Sequence, residues 1–299
     1  MRLFNLAASA FAAIALAAAA PALAQEHGDD HGAAEDHGGG HHLKTPAGGW
    51  SFTAFNGTYD RNALQRGYVV YTQVCSSCHS MISMSFRNLA QPGGPFYDAD
   101  YPNPNDNPVV KEIAKTFLLP SIDEETGDEI VVEGVPADDF PRPYPNDAAG
   151  RGANGGALPP DLSVIVKARQ GGADYIYSLL TGYPETPPAG LTVAGGQHYN
   201  EYFHGDTSSQ WAGDPRHAPP GGFLAMAPPL TAAGQVTYDD GTEATVEQMA
   251  KDVTTFLAWT SEPKMETRKQ LGLASLAYLG ILAILAFLSY RHLWRNIEH

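Results

Sequence analysis

The chain has 299 residues, a formal net charge of −15 at pH 7 and only two cysteines. A length near 300 residues predicts one or two domains. The acidic balance does not favour a nucleic-acid partner, and none is expected.

Residues 1–24 have the pattern of a secretory signal peptide. Arg2 supplies a positive charge, a run rich in Ala, Leu and Phe follows, and Ala22-Leu23-Ala24 is a small-residue cleavage site. An uncleaved anchor is the alternative, which Pro21 and the small residues disfavour. The pattern therefore predicts an exported protein.

Residues 25–49 are of low complexity, with histidines among acidic residues and glycines and almost no apolar side chain. Such a segment cannot pack into a core, so a disordered leader is predicted. A metal-binding tract is the alternative, because histidine is a common metal ligand. The histidines of this leader are His27, His31, His37, His41 and His42.

The next segment is predicted to be a helix that leads into the two cysteines. Asp60 can cap it, and apolar residues recur at helical spacing as far as Val74. The helix ends in CSSCH at residues 75–79, which is the spacing of a c-type haem attachment site.

Two thiols at this spacing can each add across one haem vinyl group and form a thioether. On a helix, Cys75, Cys78 and His79 share one face, so His79 can reach the iron as the proximal ligand. If both cysteines carry haem, no disulfide is possible. A thioredoxin-like dithiol is one alternative, but it gives no reason for the histidine. Half of a zinc site is another, but it needs further ligands, and the chain has no third or fourth cysteine.

The middle of the chain is predicted to contain short elements separated by loops. A turn of helix is expected at residues 86–89, and a short helix at residues 111–119 that Pro120 ends. A hairpin follows, with acidic residues flanking a turn at Thr126-Gly127 and a strand at residues 130–132.

Residues 140–160 are rich in proline and glycine, which predicts irregular backbone with Arg151 as its charged centre. A loop with few bulky side chains can approach a flat ligand closely. After it, Asp161 is expected to cap a helix that Gly171-Gly172 end, and a second helix is expected at residues 174–180.

Residues 183–222 are predicted to be a long loop, and residues 245–259 an amphipathic helix. The last apolar segment, residues 271–290, has no charged side chain and is long enough to cross a bilayer as a helix. Cations flank both of its ends, so counting them leaves the orientation open. The exported N-terminus places the main domain outside and the tail, residues 291–299, in the cytoplasm. A buried core helix is the alternative for this segment.

Met226 is the predicted second iron ligand. It lies in an apolar loop stiffened by Pro228-Pro229, and a thioether is a weak ligand that needs a preset loop. His198 and His204 are the alternatives. Ligation by histidine and methionine leaves no open iron site, which favours electron transfer over oxygen chemistry. Other methionines lie too near His79, on the core stripe of a helix or beside the membrane: Met81, Met84, Met249 and Met265.

Several of these segments, in this order, resemble the cytochrome c1 family, the haem subunit of the ubiquinol–cytochrome c reductase (bc1 complex). The resemblance covers roughly residues 49–298. Family members often read MPPPL where this chain has Ala227. The leader and residues 205–219 are not parts of the family pattern. The resemblance rests on WSF at 50–52, RGYVVYTQVCSSCHSM at 66–81, FPRPYPN at 140–146, RGANGGALPPDLS at 151–163, AMAPPL at 225–230, DVTTFLAWTSEP at 252–263, and RK before the terminal anchor.

The resemblance implies a mostly α fold. A cytochrome c-like haem domain with long loop insertions spans residues 50–270, and one C-terminal transmembrane helix spans residues 271–290. One haem c is bound covalently. Carried over residue by residue, the resemblance implies thioethers at Cys75 and Cys78, axial iron ligands at His79 and Met226, and a haem-propionate partner at Arg151.

The resemblance also implies a function. Such a chain passes single electrons from a Rieske iron–sulfur protein to a soluble or membrane-tethered cytochrome c. It belongs to an enzyme as a subunit of the reductase, and alone it is an electron carrier. Cytochrome b and the Rieske protein are the implied partners, in a dimeric complex of the bacterial inner membrane with the main domain in the periplasm.

Two other functions stay open. One is another membrane-anchored monohaem cytochrome c that serves a terminal oxidase or reductase. The other is a periplasmic metal-binding protein that uses the histidine-rich leader as its main site.

Overall fold

The computed structural model describes residues 42–295, and its fold is mostly helical with little sheet, as predicted. The predicted signal peptide, residues 25–41 of the leader and residues 296–299 lie outside the described residues. The α-helices of the described part are α1 (Arg61–Val70), α2 (Pro108–Lys115), α3 (Asp147–Ala153), α4 (Gly172–Leu180), α5 (Val246–Ser261) and α6 (Met265–Trp294).

Short strands form two antiparallel pairs. β1 (Leu118–Ile122) pairs with β2 (Glu129–Glu133), and β3 (His198–Asn200) pairs with β4 (Gly222–Leu224). The remaining elements are a π-helix at Tyr71–Cys75 and 3₁₀ turns at Phe86–Ala90, Pro104–Asp106, Ser208–Gln210 and Pro215–His217.

The core of the domain is built where α1 crosses α5. Gly67 of α1 lies so close to α5 that a Cβ atom there would come within 2.1 Å of the Asp252 carbonyl oxygen. Leu64 and Val70 of α1 and Phe256 of α5 are fully buried around this point. Each such side chain contributes roughly 1.5–3 kcal/mol when it leaves water, so the crossing is held mainly by apolar burial.

A buried ion pair fixes the register of the same crossing. Arg66 of α1 donates to both carboxylate oxygens of Asp252 on α5, at 2.9 and 3.0 Å, and the Asp252 side chain is 0 % exposed. Arg66 also reaches Asp240 at 2.6 Å, and Gln248 donates to Asp252 at 2.9 Å. Removal of one partner alone would leave a buried charge uncompensated. The pair therefore specifies one alignment of α1 on α5.

Aromatic rings fill the space between this crossing and the loops. The centre of the Tyr71 ring lies 5.8 Å from that of Phe256 and 6.0 Å from that of Phe140. The Phe86 ring lies 4.8 Å from Phe140. Ring pairs at these distances add to the energy of burial. Through Phe140, the proline-rich segment is anchored in the core.

Two helices begin where the sequence predicts. The Asp60 carboxylate caps α1 and accepts from Asn62 N at 2.9 Å and from Ala63 N at 3.3 Å. The Thr245 hydroxyl caps α5 and accepts from Gln248 N at 3.1 Å. Both caps satisfy backbone donors that the first turn of a helix leaves unpaired.

The prediction for residues 111–119 is wrong at its end. α2 stops at Lys115, and Pro120 lies inside β1 rather than after a helix. Both strands of a two-stranded pair are edge strands, where proline is tolerated. The hairpin itself is confirmed, with Gly127 at φ 77° and its N–H donating to Asp123 O at 2.8 Å.

Two predictions for residues 140–171 are also wrong. The first part is not irregular throughout, because Asn146 caps α3 by accepting from Ala149 N at 2.9 Å. The helix expected after Asp161 is replaced by turns and bends at residues 163–171. Asp161 Oδ1 still accepts from Ser163 N at 2.9 Å, as a capping side chain would, but Leu162 N donates to Ser80 O and no regular helix follows before α4.

Ordered contacts begin before Trp50. Lys44 N donates to Ser178 Oγ at 2.7 Å, and Thr45 Oγ1 donates to Asp174 Oδ1 at 3.0 Å. Trp50 Nε1 donates to the same carboxylate oxygen at 2.7 Å. The last residues of the predicted leader therefore contact α4.

The C-terminal helix α6 is long and apolar enough to cross a membrane, and its most apolar stretch has no buried residue. This exposure does not fit a buried core helix. The first turns of α6 are tied to the domain, because Lys269 Nζ donates to the carbonyls of Phe52 and Ala54 at 2.6 Å and of Gly57 at 3.3 Å. The candidate membrane helix thus leaves the domain from a fixed point.

Gly67→Ala should destabilise the domain, because the new methyl group would lie 2.1 Å from the Asp252 carbonyl oxygen and 2.7 Å from Phe256 Cβ. A loss of about 1–3 kcal/mol is expected for overpacking a close contact. Thermal unfolding of the purified protein measures it. Gly152→Ala in α3 is the matched control, because no atom lies within 4 Å of its Cβ position. A Gly67→Ala protein as stable as its parent would contradict the close crossing.

Candidate haem site

The two cysteines lie on a wide turn that continues α1. Ser76 N donates to Tyr71 O at 2.8 Å, which closes the π-helical turn at Tyr71–Cys75. His79 N then donates to Cys75 O at 2.9 Å. This is helical spacing, so Cys75, Cys78 and His79 share one side of the chain. Turns of the π type are rare in proteins, and those that occur are often found at functional sites.

Both cysteines are free and half-buried. Burial, with a smaller contribution from Cys78, raises the pKa of the Cys75 thiol to about 12. A redox-active dithiol needs a lowered thiol pKa, because the thiolate is the nucleophile. The surroundings of Cys75 therefore disfavour a thioredoxin-like dithiol. Across residues 42–295, no group of three or more His, Cys, Asp or Glu side chains is placed to complete a metal site.

His79 is oriented by a backbone carbonyl, with its Nδ1 2.8 Å from Pro160 O. Because a carbonyl oxygen only accepts, Nδ1 carries the proton and Nε2 keeps its lone pair. Burial lowers the pKa of the imidazole, against smaller opposing effects of the Pro160 bond and the Asp161 charge. A neutral histidine that donates its other ring N–H to a carbonyl is the arrangement of a metal ligand. The residues present therefore fit a haem iron at Nε2.

The segment around Pro160 is fastened to the residues that follow the motif. One oxygen of Asp161 accepts from Ser80 Oγ at 2.8 Å and from Ile82 N at 2.9 Å, and the other accepts from Ser163 N at 2.9 Å. Burial by itself would raise the pKa of Asp161, but these hydrogen bonds outweigh it and hold the pKa below its usual value. Asp161 is therefore a fixed, charged neighbour of the motif.

Met226 lies on a loop that is held from both sides. β4, paired with β3, ends two residues before it. After it, Gln235 Nε2 donates to Pro229 O at 2.8 Å, and Leu230 is buried in the core. The Tyr183 hydroxyl donates to the carbonyl of Met226 itself at 3.1 Å. The backbone of this half-buried methionine is thus preset, as a weak thioether ligand requires.

The alternative ligands have other surroundings. His204 is exposed, and its ring stacks on that of Tyr175 with the ring centres 5.0 Å apart and the planes 13° from parallel. His198 lies in β3, opposite Leu224 of β4. His204 is therefore engaged by a tyrosine, and His198 belongs to the strand pair that supports the Met226 loop.

Arg151, the expected propionate partner, is exposed on α3, where its guanidinium donates to Gly156 O at 3.3 Å. Arg169 is also exposed, and no local sequence pattern distinguishes it as a site residue. The Arg169 charge acts on Tyr175, where it partly offsets the rise in pKa that burial causes. Neither guanidinium has an ion pair within the part of the chain that the structure describes. Both are available to a carboxylate of a ligand.

A cavity of about 220 Å³ opens beside the motif, and its lining includes Tyr71, Ser76, Phe140 and Arg142. A larger open groove of about 650 Å³ runs along α1 and α2. Neither lining includes the cysteines or His79, but the smaller cavity is the one that reaches the motif, because Ser76 lines it.

Comparison with known proteins agrees with the resemblance found in the sequence. The model of the Cytochrome C1 family matches residues 50–297. The chain is 42% identical over 258 residues to the mitochondrial cytochrome c1 heme protein of Saccharomyces cerevisiae, covering 86% of this chain and 74% of that one. It is 38% identical over 265 residues to cytochrome c1 of Rhodospirillum rubrum, covering 84% of this chain and 87% of that one.

A longer relative is the protein named cytochrome b/c1 of Bradyrhizobium diazoefficiens. It is 41% identical over 271 residues, which are 85% of this chain but 36% of the relative. The chain thus spans about a third of that protein. With a family model over most of its length and two relatives matched over most of theirs, the chain belongs to the cytochrome c1 family.

Proposed function

We propose that this chain is the haem-carrying subunit of a ubiquinol–cytochrome c reductase, and that it passes single electrons from a Rieske iron–sulfur protein to a cytochrome c. The observation that carries the proposal is the turn of residues 75–79. Two free thiols and an imidazole lie on one side of it, and a carbonyl at Nδ1 leaves Nε2 for iron. Membership of the cytochrome c1 family supports the assignment to the reductase complex.

In this proposal one haem c is held covalently by Cys75 and Cys78, and its iron is bound by His79 and Met226. Arg151 holds a haem propionate. Arg169 is a second candidate for that role, because its cation stands beside Tyr175 without an ion pair in the described residues.

The haem, when bound, supplies a one-electron couple. The chain's own groups hold the ligands in place: Pro160 keeps the proton of His79 on Nδ1, while Tyr183 and β4 preset Met226. With His79 and Met226 as its ligands, the iron would have no position open to oxygen or another substrate. The arrangement therefore suits a carrier of electrons.

Cytochrome b and the Rieske protein are the proposed partners, in a dimeric complex. The name of the Bradyrhizobium relative joins b and c1 in one protein, which supports a cytochrome b partner. The complex is proposed to lie in the bacterial inner membrane. A signal peptide at residues 1–24 is removed, the domain at residues 50–270 lies in the periplasm, residues 271–290 cross the bilayer, and residues 291–299 are cytoplasmic. Lys269, near the start of α6, is hydrogen-bonded to the domain, which supports a domain that lies wholly on one side of the membrane.

Purification of the protein through its membrane helix tests this function. Covalent c-type haem together with b-type haem, and quinol oxidation coupled to cytochrome c reduction, is the expected result. Covalent haem without b-type haem would instead favour a membrane-anchored cytochrome c of another oxidase or reductase. A preparation without covalent haem would contradict the proposal and favour the metal-binding alternative.

Met226→Leu should keep covalent haem, because the thioether positions are unchanged. It should lower the reduction potential, since methionine ligation raises it, and it should let carbon monoxide reach the iron. A shift of about tenfold in the electron-exchange equilibrium, or about 59 mV for one electron, is the expected scale. Redox titration and carbon monoxide difference spectra of the purified protein measure both effects.

Met249→Leu is the matched control, because Met249 is fully buried in α5 and lies outside the proposed site. It should keep the native potential and exclude carbon monoxide. If Met226→Leu does the same, Met226 is not the ligand.

The acidic surface falls into two classes. Some carboxylates have structural partners: Asp138 accepts from a backbone N–H at 2.8 Å, and Asp139 accepts from a serine hydroxyl at 2.6 Å. Asp240 pairs with Arg66 of the α1–α5 crossing. These groups contribute to the fold, so their charge alone gives no reason to assign them to docking.

The β1–β2 hairpin carries the other class. Glu124, Glu125 and Glu129 are exposed and form no ion pair within residues 42–295. The base of the hairpin is close to the motif, because Phe117, directly before β1, lines the 220 Å³ cavity together with Ser76. This placement supports a role for the hairpin in steering a cationic cytochrome c toward the haem, since a field of one sign raises association rates.

Electron transfer from the reduced protein to a basic cytochrome c should therefore slow as salt rises, because the screening length falls from about 10 Å at 0.1 M to about 3 Å at 1 M. Replacing Glu124, Glu125 and Glu129 with Gln should slow the reaction several-fold at low salt and flatten the salt slope. Stopped-flow oxidation across a salt series measures this. Glu112→Gln is the control, because Lys115 already balances that charge at 2.7 Å. If the rate does not depend on salt, or if the triple variant has the salt slope of the parent, the hairpin carboxylates have no role in docking.

A further inference from the structure

The segment around Pro160 is joined to the motif by more than the His79 bond. Leu162 N donates to Ser80 O at 2.9 Å, and Ser83 N donates to Ser163 Oγ at 3.0 Å. With the bonds to the Asp161 carboxylate, these form a clamp between residues 80–83 and residues 160–163. The clamp joins two segments that are about 80 positions apart in the chain.

Asp161 is the centre of this clamp. Its carboxylate accepts from Ser80 Oγ, Ile82 N and Ser163 N at 2.8, 2.9 and 2.9 Å. Pro160 has no N–H, so its own residue offers no donor to hold the backbone there. The Pro160 carbonyl, which faces His79, must therefore be positioned by the residues next to it. Among these, the Asp161 side chain accepts three hydrogen bonds.

A role confined to local structure does not account for these contacts. The sequence favours Asp161 as the cap of a helix, but turns and bends occupy residues 163–171. Two of the three donors to the carboxylate instead belong to residues 80 and 82, directly after His79. The Asp161 charge also acts on His79 and on Tyr71, where it raises the pKa of each group; burial has the larger effect on both and, for His79, the opposite one.

We propose that Asp161 is a positioning residue for the His79 ligand: it fixes the Pro160 carbonyl against Nδ1, and its charge stabilises the oxidised iron. This inference rests on the proposed function, because it takes His79 as an iron ligand. Both effects act in one direction. A firm bond from Nδ1–H to a carbonyl makes the imidazole a stronger donor, and a nearby negative charge favours the more positive state of the iron. Asp161 therefore lowers the reduction potential.

Asp161→Asn in the full chain, purified from membranes, tests this directly. The variant keeps the shape of the side chain but loses its charge. Covalent haem should be retained, and the electron-exchange equilibrium should shift about tenfold toward the reduced form, or about 59 mV upward in a redox titration. Asp161→Glu restores the charge and should move the reduction potential back toward the parent value.

Asp139→Asn is the matched control. Asp139 also accepts from a serine hydroxyl that follows the motif, Ser85 at 2.6 Å, but it is no part of the clamp. The reduction potential of the Asp139→Asn protein should stay at the parent value.

Several results would overturn the inference while leaving the proposed function intact. One is a haem-loaded Asp161→Asn protein with the parent potential, and another is an equal shift in Asp139→Asn. Lower thermal stability or haem yield with an unchanged potential would mean a structural role alone. If Asp161→Asn does not accumulate, Asp161→Ser, which is smaller and uncharged, takes its place with the same expected shift. A parent protein without covalent haem would overturn the proposed function, and this inference with it.

Discussion

The hydrogen bond between His79 Nδ1 and the Pro160 carbonyl is the interaction on which the site depends. Together with the clamp between residues 80–83 and residues 160–163, it joins the turn after α1 to the proline- and glycine-rich segment after α3. It sets the tautomer of the ring and leaves Nε2 with its lone pair. It also requires a backbone carbonyl that no helix uses internally. Pro160 lies outside the described helices, so its carbonyl is free to accept from the ring.

The motif is positioned by packing that lies behind it. Gly67 lets α1 approach α5 closely, and the ion pair of Arg66 and Asp252 allows one alignment of the two helices. The π turn then begins at the fully buried Tyr71 and ends at Cys75. A change in the angle of the crossing would pass through a single turn to the cysteines. The position of the cysteines thus depends on how α1 packs against α5.

Local patterns in the sequence predict much of this structure. The cap at Asp60, the hairpin, α5 and the apolar α6 each follow from spacing within one short segment, and so does the shared side of residues 75–79. Contacts across the chain are a different matter. Two of the three donors to Asp161 come from a segment about 80 positions earlier, so the sequence favours a helix cap where the structure has a clamp. α3 forms inside a proline- and glycine-rich stretch, where Asn146 caps it. The composition of that stretch predicts irregular backbone, and a single capping residue is too weak a signal to change the prediction. That the charge of Arg169 acts on Tyr175 depends on the fold and not on a local sequence pattern.

The central claim is that the turn of residues 75–79 carries one haem c whose iron is bound by His79 and Met226. Near-infrared magnetic circular dichroism of the oxidised, purified protein tests it most directly, because the charge-transfer band in that region reports the pair of axial ligands. The proposed ligands predict the band of a histidine–methionine pair. A band of a histidine–histidine pair, or of a histidine with an open or water-bound position, would contradict the account.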